Sequence, residues 1–289
     1  MNVREISKQV IGMLFATGAY KVRPNDPFIL IAKTISPDYI DNGAFTNYPD
    51  YRKEIASYMV ELIDERIGRD SIDIISGGLV RDLVFSITVA DLLDKPYVII
   101  REEAKLHGVG GKLVGNISDG QKVLHIADLI TDGKSALEKW LPTIREGGGF
   151  IKHYIVNVDR IQKGKSGLSA EEALKKEGVT LHSLVKRDDK FYETAVELGL
   201  ITEEDWKELE AFNKNPRGWG INYLRNHPVF VTKNITAKDD GTLKNKDGIL
   251  MFTEKTAYPE LRQEFGPTIR ERLKKLHIKE AVPEFGYNP

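Results

Sequence analysis

The middle of this chain alternates short apolar runs with longer stretches of helical spacing, and this alternation restricts the fold more than any other feature. The apolar runs are rich in Val and Ile, as are the strands of a sheet that is buried on both faces. We predict strands at 72–76, 97–101, 122–130, 151–159 and 179–184. Strands that alternate with helices form βαβ units. The sequence therefore predicts an α/β fold, a parallel sheet with helices on both faces.

Helical spacing occurs between the predicted strands and also before and after them. One helix carries four large apolar residues on a single face, namely Leu137, Trp140, Leu141 and Ile144. The other predicted helices cover 3–15, 49–67, 79–93, 190–198, 203–213 and 260–276. The composition changes after about residue 220, where Asp240-Gly241 predicts a β-hairpin. We therefore predict one α/β domain over residues 1–219 and a small C-terminal α+β extension of unknown role over 220–289.

The composition excludes several classes of protein. Among the 289 residues, 41% are hydrophobic and 29% are charged, which is ordinary for a folded globular protein. The 42 Lys and Arg against 43 Asp and Glu leave a formal charge of -1, so no overall positive field attracts nucleic acid. Cysteine is absent, and no apolar stretch approaches 18 residues. We expect a soluble, cytoplasmic protein that binds neither nucleic acid nor membrane.

A candidate phosphate site follows the predicted strand at 122–130. Beyond Asp128 the chain passes through a polar turn into a helix, and the turn consists of Thr131, Asp132, Gly133, Lys134 and Ser135. Backbone N–H groups and hydroxyls at such a position suit a phosphate, and the Asp128 carboxylate suits sugar hydroxyls. The alternative is that Thr131 and Ser135 only cap the helix and that Asp128 only ends the strand. The local pattern leaves both interpretations open.

A second candidate segment, Arg101–Gly111, combines cations with glycines. Arg101, Lys105 and His107 precede or enter a glycine-rich stretch that has no apolar periodicity. A mobile loop of this kind could deliver positive charge to a leaving anion and then release the product. The alternative is an ordinary solvated surface loop.

Together the two segments resemble the orotate phosphoribosyltransferases, within the type I phosphoribosyltransferase family. The loop matches that family's pattern R-x-x-A-K-x-H-G-x-G-G, and the polar turn follows after a further strand as it does there. Further matching positions are Phe28, Ser36, Pro37, Tyr39, Asp41, Asn42, Tyr48, Pro49, Arg52, Asp159, Arg160, Gly178, Val179, Ser183 and Leu184. The resemblance covers roughly residues 1–219 and implies the type I phosphoribosyltransferase fold.

The resemblance implies that ribose 5-phosphate is transferred from phosphoribosyl diphosphate to orotate, with Mg²⁺, in pyrimidine nucleotide biosynthesis. Lys105, His107 and Arg101 would act on the diphosphate, in a loop that reaches the neighbouring subunit of a homodimer. Residues 131–135 would hold the 5-phosphate, Asp128 the ribose hydroxyls and Arg160 the carboxylate of the base. Mg²⁺ would be held through the substrate diphosphate rather than by protein ligands alone.

The sequence departs from the family pattern at contacts to the diphosphate and the ribose. Ala127 stands where the family has the first of two adjacent acidic residues, and Glu102 stands where some members have a second loop cation. The stretch Gly78–Asp82 is bulky where the family has the small pattern T-x-T-x-G. Two alternatives therefore stay open: a phosphoribosyltransferase for another base, and a non-catalytic relative that binds a phosphorylated ribose or a nucleotide.

Arg81, in that bulky stretch, is a further candidate for ligand binding. Either it pairs with Asp82 and fills the diphosphate pocket, or it faces the ligand site and replaces the missing backbone donors. We favour the second arrangement, because a guanidinium is more easily satisfied beside an anion-binding cleft than under a sheet. His125, in the middle of an apolar strand, is predicted to be a core residue.

Overall fold

The computed structural model describes residues 3–105, 111–164, 166–245, 249, 251–252 and 258–289. The chain forms two compact units. Unit 1 comprises Met1–Tyr20 and Ile40–Leu200, and unit 2 comprises Lys21–Tyr39 and Ile201–Pro289. The compact units therefore change at residue 200 and not near 219, and unit 2 includes an early segment that the sequence analysis did not assign to it. A functional division at residue 219 stays a prediction.

The described strands belong mainly to unit 1. In chain order they are β1 Tyr20–Val22, β2 Phe28–Ile29, β3 Ile35–Ser36, β4 Asp38–Ile40, β5 Ile74–Gly78, β6 Tyr97–Lys105, β7 Gly111–Val114, β8 Lys122–Ile130, β9 Phe150–Asp159, β10 Thr180–Lys186, β11 Thr236–Ala237 and β12 Leu243–Asn245. Six of them form one sheet in the order β10-β9-β8-β5-β6-β7. Neighbours are parallel except for β7, which pairs antiparallel with β6 at the edge. The predicted parallel strands are confirmed, whereas the edge strand β7 was not predicted.

The described helices alternate with these strands and then continue into unit 2. They are α1 Val3–Ala16, α2 Pro49–Arg66, α3 Leu83–Leu93, α4 Leu141–Glu146, α5 Ala170–Lys176, α6 Asp189–Glu197, α7 Glu203–Lys214, α8 Pro216–Asn226, α9 Pro228–Lys233 and α10 Arg262–Lys275. A π-helical turn, Ala136–Trp140, leads into α4. Within the described ranges, no helix has both the length and the apolar character needed to cross a membrane.

The central sheet is covered on both faces. On one face, Val123 and Ile151 of adjacent strands pack with Trp140 and Leu174 from the helical segments that follow β8 and β9. Leu124 alternates with Val123 along β8 and is equally buried, so the opposite face is covered as well. The predicted α/β architecture is confirmed.

The helix predicted over 79–93 begins later, at Leu83. Residues 79–82 form a turn instead, because the Asp82 carboxylate turns back and accepts a hydrogen bond from the backbone N–H of Gly78 at 2.8 Å. A side chain on Gly78 would not fit: its Cβ would lie 2.7 Å from Asp82 Oδ2 and 2.7 Å from the ring of Trp140. This turn brings Asp82 to the carboxyl end of β5.

Unit 2 is built from two distant segments around one apolar core. Ile35 from the early segment packs in a cluster with Tyr258 and Phe265 from the late one. The backbone N–H of Ile35 donates to the Tyr258 hydroxyl at 3.2 Å, and the Tyr223 hydroxyl donates to the carbonyl oxygen of Asn25 at 2.8 Å. The early segment is therefore part of this unit's core.

The late segment of unit 2 is more helical than the sequence analysis indicated. The predicted hairpin is present as β11 and β12, which pair antiparallel. Helices α8 and α9 were not predicted. Each begins with a proline at its first position, and the Asn215 side chain accepts a hydrogen bond from the Gly218 N–H at the start of α8. Prolines that begin helices resemble turn prolines when only the sequence is considered.

Candidate active site

The carboxyl ends of β5, β8 and β9 lie side by side at one edge of the central sheet, which is where α/β folds bind ligands. Asp128 lies near the end of β8, and Arg160 directly follows β9. The backbone N–H of Arg160 donates to the carbonyl oxygen of Ile130 at 2.9 Å, which holds the two strand ends together. The structure thus brings Asp128, the turn 131–135 and Arg160 to one edge.

Asp128 is the most unusual of these residues, because its ionisable carboxyl group is almost completely buried. The residue is 6% exposed. Its Oδ1 accepts a hydrogen bond from the Leu129 N–H at 2.7 Å, while its Oδ2 is buried with no hydrogen-bond partner among the described residues. Burial, and next the negative charge of Asp82, raise the pKa of Asp128 to about 8. An oxygen in this state is suited to a ligand hydroxyl.

Asp82 lies directly beside Asp128, which the sequence analysis did not foresee. Its Oδ1 accepts a hydrogen bond from the Asp128 backbone N–H at 3.1 Å, and its Oδ2 accepts the one from Gly78. The side chain is also buried. Two carboxyl groups from different strand ends therefore meet in one buried place.

Behind Asp82, a buried histidine links it to the neighbouring strand. His125 Nε2 lies 3.5 Å from Asp82 Oδ2, and His125 Nδ1 is hydrogen-bonded to the Ser76 hydroxyl at 2.9 Å. The ring is fully buried and stacks on Trp140 with centroids 6.0 Å apart. The prediction that His125 is a core residue is confirmed, and the structure adds its contact with Asp82.

Two asparagines fix the backbone at the end of β8. The Asn42 side chain donates to the carbonyl oxygen of Asp128 at 2.8 Å, and the Asn157 side chain donates to Asn42 Oδ1 at 3.2 Å. Asn42 was noted only as part of a family pattern, and Asn157 not at all. A buried asparagine within an apolar strand such as β9 is the signal that would have pointed to Asn157.

The turn 131–135 contains a carboxylate, that of Asp132, which accepts hydrogen bonds from the turn itself. Asp132 Oδ1 accepts hydrogen bonds from the Thr131 hydroxyl at 3.3 Å and from the Lys134 backbone N–H at 3.1 Å. Gly133 has φ +80, and a Cβ on it would lie 3.4 Å from the backbone of Ala170. The Ser135 side chain makes no hydrogen bond to cap the helix. The interpretation that Ser135 is only a helix cap is therefore not supported.

Arg81 does not pair with Asp82. Its Nε lies 3.6 Å from Asp41 Oδ1, and both side chains are partly exposed. Asp41 also accepts a hydrogen bond from the Gly43 N–H at 3.0 Å, which orients its carboxylate. Of the two arrangements considered for Arg81, the one that buries it against Asp82 is wrong, because Asp82 already makes backbone hydrogen bonds and Arg81 points outward.

The loop residues are only partly within the described structure. Arg101 lies in β6, and its guanidinium approaches the carbonyl oxygen of Gly111 at 3.5 Å. The side chain of Lys105 and the whole of His107 lie outside the described residues. Lys105 pairs with Gly111 in the antiparallel register of β6 and β7. Glu102, which adds negative charge here, is ion-paired with Lys139 at 2.9 Å.

Arg160 adjoins a third buried carboxyl group, that of Asp159. Asp159 is 1% exposed and its Oδ1 accepts a hydrogen bond from the Ile161 N–H at 2.8 Å. Burial raises the pKa of Asp159. Its carbonyl oxygen accepts a hydrogen bond from the Arg187 N–H, so the end of β10 is tied to the same edge. Arg160 is therefore placed by backbone contacts on both sides.

Known proteins similar to this chain were found by sequence and by structure. No protein-family model matches the chain. The orotate phosphoribosyltransferase of Listeria monocytogenes is 33% identical over 215 residues, covering 74% of this chain and 99% of that protein. The UMP synthase of Leishmania donovani has a TM-score of 0.60 at 21% identity, over 72% of this chain and 42% of its own. The orotate phosphoribosyltransferase of Aeropyrum pernix has a TM-score of 0.54 at 22% identity, over 66% of this chain and 99% of its own.

Proposed function

Because the chain belongs to the orotate phosphoribosyltransferase family, we propose that it transfers ribose 5-phosphate from phosphoribosyl diphosphate to orotate, for pyrimidine nucleotide synthesis. The bond from the ribose C1 to the diphosphate oxygen breaks, and the diphosphate leaves with the electron pair. A ring nitrogen of orotate then bonds to C1 and loses its proton. The observation that carries the proposal is the buried Asp128 Oδ2, which has no hydrogen-bond partner among the described residues and lies next to the turn 131–135. The sequence similarity supports it, because it covers 99% of the length of the Listeria monocytogenes enzyme.

The roles of the residues follow from what each can bind. Asp128 accepts hydrogen bonds from ribose hydroxyls, for which its free oxygen and buried position are suited. The N–H groups and hydroxyls of residues 131–135 bind the 5-phosphate at the start of a helix. Arg160 binds the carboxylate of orotate in bidentate fashion. Arg101, Lys105 and His107 neutralise the leaving diphosphate, and Arg81 adds a further cation once it leaves Asp41.

Mg²⁺ fits this chemistry through the substrate. When bound, Mg²⁺ neutralises charge on the diphosphate. The orphaned Asp128 Oδ2 is an acceptor suited to a ribose hydroxyl on the sugar that bears this diphosphate. The protein's part is to orient the sugar so that C1 faces the base.

We also propose a cytoplasmic homodimer in which the loop 103–111 of one subunit serves the site of the other. A chain without cysteine suits a reducing compartment. The shared site can be tested by mixing two inactive variants, Lys105→Ala and Asp128→Asn, with subunit exchange verified. Partial recovery of activity supports the shared site, and no recovery removes it.

The experiment that tests the function measures diphosphate release and orotate consumption by purified protein with phosphoribosyl diphosphate and Mg²⁺. We expect both to depend on orotate and to fall by roughly two orders of magnitude or more in Lys105→Ala, since one charge stabiliser of the transition state is lost. Release with another base, but not with orotate, would assign a different substrate. No release with any base would leave the chain as a non-catalytic binder of phosphorylated ribose.

A further inference from the structure

We propose that Asp82 is a positioning residue for this reaction: it joins the ends of β5 and β8 and holds Asp128 in place to bind the ribose. This inference rests on the proposed function, and deepens it by giving a role to a residue that the sequence analysis considered only as a partner for Arg81. Four observations carry it: the hydrogen bonds of Asp82, the point where strand pairing stops, the His125 contact behind Asp82, and the unpartnered oxygen of Asp128.

The first step concerns the two strand ends. The pairing of β5 with β8 runs from Ile74↔Val123 to Ser76↔His125. Gly78 and Asp128 lie beyond the last paired position. The Asp82 carboxylate accepts a hydrogen bond from the backbone N–H of each, at 2.8 Å and 3.1 Å. One side chain thereby replaces the strand pairing at the edge where the ligand binds.

The second step concerns what fixes the Asp82 carboxylate. A self-consistent arrangement of protons has the Ser76 hydroxyl donating to His125 Nδ1, at 2.9 Å, which leaves the ring proton on Nε2. Nε2 lies 3.5 Å from Asp82 Oδ2 and makes no hydrogen bond to it, so the two groups interact by electrostatics alone. The opposite tautomer would set a nitrogen lone pair against a carboxylate. The stacked ring of Trp140 holds the imidazole in its plane. The buried Ser76–His125 pair therefore lies behind Asp82 and acts on its carboxylate electrostatically, without a hydrogen bond.

The third step concerns Asp128. Asp82 binds the backbone of Asp128, and Leu129 binds its Oδ1, so its Oδ2 is the atom that stays available. Position 127 offers no second carboxylate, because it is an alanine. Ala127 is 2% exposed and packs in an apolar cluster. Asp82 supplies the neighbouring negative charge from the turn that follows β5. A ligand hydroxyl that donates to Asp128 Oδ2 gives that oxygen a partner and favours the ionised form of Asp128 beside Asp82.

The test compares Asp82→Asn with Asp73→Asn. An amide has one acceptor oxygen where the carboxylate has two, so Asn at 82 must lose the bond to Gly78 or to Asp128. Asp73 is the matched control, because its Oδ2 accepts a hydrogen bond from the Lys122 N–H at 2.8 Å at the opposite end of the same two strands. We expect KM for phosphoribosyl diphosphate to rise about tenfold or more in Asp82→Asn, kcat to fall less, and neither to change in Asp73→Asn.

A pH profile separates positioning from loss of structure. The affinity for ribose 5-phosphate, measured by calorimetry from pH 5.5 to 9, should increase in wild type as Asp128 ionises beside Asp82, Arg81 and His125. In Asp82→Asn the midpoint should move to lower pH, because one neighbouring negative charge is gone. A lower affinity at every pH with an unmoved midpoint, or an affinity equal to that of Asp73→Asn, overturns the inference.

A second pair of variants covers the case in which Asp82→Asn does not fold. His125→Gln keeps an N–H near the Nε2 position and His125→Asn does not, so Gln should retain more affinity for ribose 5-phosphate than Asn. Equal affinities would contradict the support from His125. The two proposals fail separately. Wild type that shows no turnover, but the expected shifts in ribose 5-phosphate affinity, would contradict the proposed enzymatic function. Turnover in wild type, with variants whose kinetics and affinities are unchanged, would contradict the role of Asp82.

Discussion

Among single residues, Asp132 stands in the position that is hardest to reconcile with phosphate binding. Its carboxylate accepts hydrogen bonds from the Thr131 hydroxyl and the Lys134 N–H, which are the kinds of donor that a phosphate needs. An incoming phosphate must displace this carboxylate and then lie close to its charge. If the turn binds the 5-phosphate as proposed, we expect its affinity to be lower than its shape alone would allow.

We predict that Asp132→Thr tightens the binding of ribose 5-phosphate by several-fold, up to about tenfold, because a like charge is removed and two donors are released. Calorimetry at fixed ionic strength checks this. Glu138→Gln is the control, since it removes the same charge one turn away, where the Glu138 carboxylate lies 3.9 Å from Lys134 Nζ. Weaker binding in Asp132→Thr would mean that Asp132 orders the turn instead of competing for it.

Asp128 gives a second prediction at this scale, on stability without ligand. Its pKa is raised to about 8 in the folded protein, against roughly 3.9 for an unfolded Asp. Between these values the folded state holds a proton that the unfolded state has lost, so stability should fall as pH rises from about 4 to about 8. Urea unfolding across this range should show a weaker decline in Asp128→Asn. An unchanged decline, with Asp73→Asn alongside, would show that other groups cause it.

At the scale of elements, the space around a glycine decides what a substitution does. Gly78 ends β5 against Asp82 and Trp140, with no room for a Cβ, whereas Gly12 in α1 has no atom within 4 Å of the position of its Cβ. The first glycine permits close packing at the site. The second only weakens a helix, because glycine loses more backbone freedom on folding than alanine does.

We predict opposite effects of one substitution at these two positions. Gly12→Ala should raise the free energy of unfolding by about 0.5–1 kcal/mol, and Gly78→Ala should lower it by about 1–3 kcal/mol through overpacking. Denaturant titrations of both variants measure this. Equal effects would mean that the turn 79–82 relaxes around the added methyl group and does not constrain β5.

The elements also show what the sequence could predict and what it could not. The apolar run of β8 was predicted with the observed bounds, Lys122–Ile130, because Val and Ile dominate it and a polar turn ends it. The turn 79–82 was predicted as the start of a helix over 79–93, because that segment has small and apolar residues on most sides. Only the folded structure shows that Asp82 turns back to Gly78, since that bond depends on a strand end and not on local pattern.

For the site, the sequence pointed to Asp128, residues 131–135 and Arg160, and the structure brings them to one sheet edge. The sequence analysis named Asp82 only as a partner for Arg81 and did not predict its contacts with Asp128 and His125. These contacts join β5 to β8, which are neighbours in the sheet although far apart in the sequence. Long-range contacts of this kind leave no periodic signal in one sequence.

At the scale of the whole molecule, the two compact units differ in how the chain builds them. Unit 2 closes a core between Lys21–Tyr39 and Ile201–Pro289, so its early segment depends on contacts with residues far along the chain. A division of the sequence at a single residue cannot describe such a unit.

We predict that Tyr258→Phe loosens the early segment of unit 2. It leaves the buried N–H of Ile35 without the Tyr258 hydroxyl, at a cost of about 1–3 kcal/mol. Hydrogen exchange should show faster exchange over residues 28–36. Tyr287→Phe is the control, because that hydroxyl donates to Ile278 within the late segment. Equal protection of residues 28–36 in both variants would contradict the dependence on Tyr258.

Because unit 2 is built from two distant segments, its parts are synthesised at different times. The ribosome delivers Lys21–Tyr39 early, and the partners that bury Ile35 follow only after the roughly 160 residues of Ile40–Leu200, which take on the order of ten to thirty seconds at ordinary translation rates. During that interval the nascent chain carries Ile29 and Ile35 without their apolar neighbours from the late segment. Unit 1 can complete its sheet meanwhile, so a chaperone that binds short apolar segments would meet this one before any other part of unit 2.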